Sequence, residues 1–178
     1  KLGVEIIAKE RAYQVNVNKK LTEEIIMSEM SDTATENAIM AAARMNGITK
    51  ISFASHNYMV RDLCYFLQKL GVRIDGVGTN NLTVHGVPKI KKNISNTPAE
   101  DPIESMAFIS FAATTNSSIT IKRCPIDFLQ LELLKLEKMG LKFTLSEKYK
   151  SYNGKSDLVD IKTHKYESLH ALNDKLHS

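Results

Sequence analysis

Hydrophobic and polar positions change period along the chain in an order that returns. Ile48–Ala54 alternates, with Ile51 and Phe53 on one side, as a half-buried strand does. Tyr58–Leu70 then sets Val60, Leu63, Phe66, Leu67 and Leu70 at helical spacing. Val72–Gly86 goes back to period two, with Val72 and Ile74 before a Thr79-Asn80-Asn81 turn and Leu82 and Val84 after it, which predicts a hairpin. Ahead of these, Glu23–Glu29 is a strand candidate. Thr33–Gly47 reads as an Ala-rich helix with Thr33 as N-cap and Glu36 closing a capping box. Small and apolar residues on nearly every side of that helix predict burial all round. The element order is βαβαββ.

The second half repeats it. Asp101 is a capping residue, Pro102 suits the first helical position and Glu104 the first turn, with Met106–Thr115 continuing the helix. Ser118–Arg123 is a strand carrying Ile119 and Ile121, and Cys124-Pro125 is expected to break the chain. Ile126–Met139 follows as a helix with Ile126, Leu129, Leu133 and Leu136 in one stripe. Leu141–Leu145 and Leu158–Ile161 form the closing hairpin around the polar stretch Glu147–Asp157. Residues 1–18 supply only a hairpin, Val4–Ala8 with Tyr13–Val17.

Three pentapeptides mark the period: Leu2-Gly3-Val4-Glu5-Ile6, Leu70-Gly71-Val72-Arg73-Ile74 and Met139-Gly140-Leu141-Lys142-Phe143, 68 and 69 residues apart. Each reads as a helix end, a glycine at the left-handed stop position and a strand. The expected division is therefore a truncated unit's hairpin (1–20), a complete unit (21–88), a linker (89–100), a second complete unit (101–162) and a polar, His-rich tail (163–178). A chain that opens partway through a unit is expected to be a fragment of a longer one.

Bulk properties narrow the class without choosing a function. Of 178 residues, 43% are apolar and 25% charged, the balance of a globular protein with a proper core. No apolar run reaches the roughly 20 residues that span a bilayer, and the first residues do not read as a secretory leader. Cys64 and Cys124, 60 residues apart, suit buried, reduced thiols in a cytoplasmic protein better than a disulfide frame. A net charge of +4 permits an anionic ligand without demanding nucleic acid, and Lys89, Lys91 and Lys92 read as a solvated loop.

Ala34–Ala42 with Gly47, Asp62-Leu63, Phe66-Leu67, Leu70-Gly71, Gly76–Thr79 and Leu82–Val87 resembles the UDP-N-acetylglucosamine 1-carboxyvinyltransferases, members of the enolpyruvyl transferase family. Asp101–Glu104 through Gly140 continues the resemblance in the same order, to about residue 163. The resemblance implies an α/β (α+β) fold of tandem βαβαββ units, the inside-out α/β barrel, with two lobes of three units each. It implies transfer of the enolpyruvyl group of phosphoenolpyruvate to the 3-hydroxyl of UDP-N-acetylglucosamine in peptidoglycan precursor synthesis. Neither cofactor nor metal is implied. Substrates and the remaining parts of the polypeptide are the implied partners, with no membrane.

By the same resemblance, Met30, Ser31, Asp32 and Thr33 lie against the diphosphate of the UDP-sugar. The physics agrees, since a hydroxyl and unpaired backbone N–H groups meet at a helix N-terminus there. This chain departs from the family at Asp32-Thr33, where a small or apolar residue and a glycine are usual, and at Glu29, often a lysine. It departs again at Ser55-His56-Asn57-Tyr58, usually a charged run, and at Pro102, often an arginine. The losses fall on one face and point to a divergent paralogue. No catalytic residue is assigned, because the family's reactive parts match nothing between Lys1 and Ser178. His56 reads as a residue leading into a helix.

Two other readings carry less. His170, Asp174 and His177, with His164 near, would share one face of a helix and suit zinc. The tail offers no apolar face and nothing to orient the rings, so it reads as a solvated end. Similar βαβαββ units also bind RNA, but here Tyr and Phe sit in apolar patterns and do not interleave with Lys and Arg. A catalytically dead paralogue is the remaining option.

Overall fold

The computed structural model describes residues 4–17 and 24–172. The chain forms two compact units, Lys1–Asn96 and Thr97–Ser178.

In the first unit, β1 (Val4–Lys9) and β2 (Ala12–Val17) form an antiparallel hairpin of their own. A four-stranded sheet follows from β3 (Ile25–Ile26), β4 (Gly47–Ser52), β5 (Arg73–Asp75) and β6 (Asn81–Gly86), in the order β3-β4-β6-β5. Only β3 and β4 run parallel, joined by the crossover helix α1 (Asp32–Ala43). Helix α2 (Tyr58–Lys69) links β4 to the β5–β6 hairpin, and this is the predicted βαβαββ order. Ile39, Ile51, Val60, Cys64, Ile74 and Val84 close the core, each at most 3% exposed.

In the second unit, α3 (Pro102–Thr114), β7 (Thr120–Pro125), a 3-10 turn (Ile126–Phe128), α4 (Gln130–Lys138), β8 (Lys142–Leu145), β9 (Tyr149–Lys150) and β10 (Asp157–His164) follow in order. The sheet runs β7-β10-β8, with β9 also on β10. Asp101 caps α3 as expected, its carboxylate accepting the Ile103 N–H at 2.7 Å, and Pro102 occupies the first turn, where no N–H is needed.

The two units share their buried positions at a nearly fixed spacing. The buried face of α1, Thr35, Ile39, Ala42 and Ala43, returns 70 positions on as Ser105, Ile109, Ala112 and Ala113 of α3. Thr35 and Ser105 each turn a hydroxyl back onto the carbonyl of the capping residue, Ser31 at 2.7 Å and Asp101 at 3.1 Å. Both helices are followed by a strand with a left-handed non-glycine residue near its end, Phe53 (φ 59°) directly after β4 and Arg123 (φ 62°) inside β7 just before Cys124-Pro125, again 70 apart. Val60, Cys64 and Leu67 of α2 correspond to Leu129, Leu133 and Leu136, one position out of step with the rest. Gly71 and Gly140 take the predicted left-handed stop (φ 100° and 105°), while Gly3 lies outside the described residues.

Several expectations are corrected. Ser31, not Thr33, caps α1, with its Oγ accepting the Ala34 N–H at 3.4 Å, so Glu36 closes no capping box. One face of α1 is buried and Met40 is 45% exposed, so the helix is not enclosed all round within its unit. Phe53 leaves the alternation because its left-handed backbone ends the strand, and its side chain is exposed. Cys124-Pro125 does not break the second unit's strand but closes it. Proline is tolerated at that last position, which demands no N–H from it. The helix expected from Ile126 begins with the 3-10 turn instead. Among the described residues of the second unit no strand precedes α3, so the second copy lacks the leading strand of the first.

The tail expected to pack nothing does pack. Thr163 is fully buried in β10, Leu169 and Tyr166 lie against the core, the Tyr166 hydroxyl donates to the Ala113 carbonyl, and the His170 N–H donates to the Met139 carbonyl at 2.8 Å. Residues 173–178 lie outside the described residues.

Candidate functional site

The sequence-predicted residues Met30, Ser31, Asp32 and Thr33 form the turn that starts α1. Ser31 is extended (φ −84°, ψ 128°), which aims its hydroxyl at the first helical turn while its carbonyl accepts the Thr35 N–H at 3.0 Å. Helix geometry leaves the Asp32 and Thr33 N–H groups without intrahelical acceptors. Met30 and Thr33 are exposed and Ser31 and Asp32 half-buried, so the turn is open to a ligand on one side. Asp32 at the first helical position also favours the positive end of the helix dipole.

The Asp32 carboxylate does not stand free over the turn. One oxygen accepts the Ser55 hydroxyl and the other accepts the Asn57 side-chain amide at 2.9 Å. The Ser55 N–H donates to Thr35 Oγ at 3.0 Å, and Asn57 caps α2 by accepting the Tyr58 N–H at 2.8 Å. The turn and the loop ahead of α2 are thereby one hydrogen-bonded body. Sequence reasoning placed Asp32 at the turn but missed Ser55 and Asn57 as its partners; no spacing rule links residues 23 and 25 positions apart. His56, between them, is exposed.

The matching region of the second unit is chemically different. A cleft of about 470 Å³ lies between α3 and β7, and Glu100, Asp101 and Glu104 line it alongside Lys122 and Arg123. Three carboxylates make it a poor anion site. Arg123 is held in its left-handed conformation from several directions. Its N–H donates to Tyr149 Oη at 3.0 Å and to Asp160 Oδ1 at 3.1 Å. Its guanidinium pairs with Glu100 and lies 3.8 Å from the Tyr152 ring centre. The ion pair with Glu100 holds the guanidinium above its ordinary value.

The Tyr149 hydroxyl and then the Arg123 N–H hold the Asp160 carboxyl below its ordinary value. Burial, and then that same carboxylate, push the Tyr149 phenol up. A carboxyl with a lowered folded-state pKa stabilises the fold above its unfolded value and loses that contribution as pH falls through the folded one. Below about pH 4, acid unfolding of Asp160→Asn should therefore be less steep than that of the parent. Circular dichroism across an acid titration checks it; identical acid profiles would contradict it.

Cys64 and Cys124 are buried and unpaired with each other, as expected of core thiols. Burial pushes the Cys64 thiol up to about 12 and raises Cys124 as well, so neither is a nucleophile at neutral pH. Among the described residues no group of three or more His, Cys, Asp or Glu is placed to hold a metal ion. Of the tail histidines, His164 meets Thr144 Oγ at 3.1 Å and His170 meets Ser168 Oγ at 3.2 Å, while Asp174 and His177 lie outside the described residues. Among the described residues no helix is long and apolar enough to cross a membrane.

Comparisons with known proteins agree with this architecture. The enolpyruvyl transferase NikO from Streptomyces tendae superposes over 92% of this chain and 39% of its own with a TM-score of 0.72, at 19% identity. The EPSP synthase of Acinetobacter baumannii does so over 92% and 37% with a TM-score of 0.63, at 15% identity. These show the mixed α/β fold expected from the sequence. The UDP-N-acetylglucosamine 1-carboxyvinyltransferase of Borreliella burgdorferi is 34% identical over 80% of this chain and 33% of that protein. The Treponema denticola protein of the same name is 42% identical over 58% and 24%. The chain thus spans about a third or less of the length of these two curated relatives. Residues 1–174 match the family model for EPSP synthase (3-phosphoshikimate 1-carboxyvinyltransferase), and the chain belongs to that family of enolpyruvyl transferases.

Proposed function

We propose that this chain is part of a cytoplasmic transferase that moves the enolpyruvyl group of phosphoenolpyruvate to the 3-hydroxyl of UDP-N-acetylglucosamine, an early step toward peptidoglycan. The observation that carries the reading is the 34% identity over 80% of the chain to a protein named for that reaction. In the transfer the sugar oxygen bonds to the central carbon of the enolpyruvyl group, that carbon's bond to the phosphate oxygen breaks, and inorganic phosphate and the hydroxyl proton leave.

Within that enzyme, Met30, Ser31, Asp32 and Thr33 receive the diphosphate of the UDP-sugar. Ser31 supplies a hydroxyl, and the backbone of Asp32 and Thr33 supplies N–H groups at the positive end of α1. Its partners are the two substrates and the rest of the polypeptide. Positioning and proton transfer each contribute large factors and need groups beyond this turn. The 178-residue chain by itself is therefore expected to show no turnover.

Rescue of a bacterium depleted of its own UDP-N-acetylglucosamine 1-carboxyvinyltransferase tests the reading. The gene for the intact protein should restore growth, and the segment encoding this chain alone should not. Failure of the intact, well-expressed protein to rescue would overturn it.

A further inference from the structure

The hydrogen bonds from Asp32 to the loop ahead of α2 belong to the first unit alone. In the second unit, 70 positions on, Asp32 becomes Pro102 and Ser55 becomes Pro125, neither of which has a hydroxyl or carboxylate to offer. That unit nonetheless forms the same helix, strand and buried stripe. The clamp is therefore no requirement of the module. The Asp32 carboxylate accepts from two neutral donors, and both lie on the loop side of the turn.

We propose that Asp32 is a positioning residue that joins the Ser31–Thr33 turn to the Ser55–Asn57 loop, so that both answer a nucleotide-sugar diphosphate together; the role rests on the diphosphate reading of the turn. The Thr35 hydroxyl extends the joint. It donates to the Ser31 carbonyl and accepts the Ser55 N–H, so the loop is tied to the helix start by backbone as well as by side chain. Loss of Asp32 leaves that tie but frees the Ser55 hydroxyl and the Asn57 amide. Asp32→Asn keeps one acceptor oxygen and so retains one of the two bonds.

Amide exchange and 15N amide spectra of the intact protein test this. Without ligand, Asp32→Ala should speed exchange at Ser55 and Asn57 about tenfold, the worth of a hydrogen bond to a charged group. Core amides at Ile39 and Ile51 should be unchanged. Titrated with UDP-N-acetylglucosamine, the parent's Thr33 and Asn57 amides should shift along one saturation curve. In Asp32→Ala, Thr33 should still shift, about tenfold weaker, while Asn57 no longer follows it, with Asp32→Asn in between. Unchanged exchange in Asp32→Ala, or Asn57 still following Thr33 there, would overturn the clamp. No shift at Thr33 in the parent would overturn the diphosphate reading and the ligand response with it, whatever the exchange rates show.

Discussion

Gly86→Ala is expected to destabilise the first unit by about 3 kcal/mol, the upper end of the usual cost of overpacking. Gly86 ends β6 where that strand meets the C-terminus of α1. A Cβ there would stand 2.1 Å from the Met45 carbonyl oxygen and 2.6 Å from that of Ala42. Both are backbone atoms of the helix end, which cannot rotate aside as a side chain would. The next residue holds the same junction, with the Val87 N–H donating to the Ala43 carbonyl at 2.8 Å. Relief therefore requires the strand end to leave the helix. Gly71→Ala is the control: its backbone is left-handed, but nothing lies within 4 Å of the added methyl. It should cost about 1 kcal/mol, for conformation alone. Urea unfolding read at amides of the first unit separates the two; equal midpoints for both variants would contradict the close approach.

Ile161→Ala is expected to cost the second unit about 3–4 kcal/mol. Ile161 is fully buried at the centre of β10, opposite Ile121 on one side and Leu145 on the other. It belongs to the cluster of Ile109, Cys124, Leu129 and Leu133, so truncation opens a cavity between helix and sheet. The surrounding strands are held by their ladders and cannot collapse into it. Ile161→Val, which removes one methylene, should cost only about 1 kcal/mol. Denaturant midpoints for the pair check the ratio, and a loss for Ile161→Ala no larger than for Ile161→Val would contradict a close-packed centre.

Much of the fold was legible because local chemistry and tertiary packing agree. Asp101-Pro102 reads as a helix start and is one. The α2 stripe reads as amphipathic, and of its members Val60 and Leu67 are buried while Leu63, Phe66 and Leu70 pack partly buried against the same core. Elsewhere several local choices compete. Ser31, Asp32 and Thr33 are all capping residues, so sequence alone does not fix the first residue of α1; Ser31 wins with the Thr35 hydroxyl bonded back to its carbonyl. Phe53 and Arg123 adopt a backbone that side chains rarely favour, and only the partners of Arg123, distant in sequence, account for that residue's conformation. The docking of 163–170 was illegible because it rests on isolated residues, Tyr166 and Leu169, in a polar run with no period.

The candidate site was legible as a position and not as a network. Residue types at a helix start disclose capping and anion preference. They do not disclose that Asp32 turns to Ser55 and Asn57, because that depends on where β4 delivers the loop.

Phosphate release by the intact protein, measured with phosphoenolpyruvate and one acceptor at a time, tests the proposed reaction most directly. Release that depends on UDP-N-acetylglucosamine and gives no signal with 3-phosphoshikimate is the predicted result. Release with 3-phosphoshikimate alone, or with neither acceptor, would contradict it.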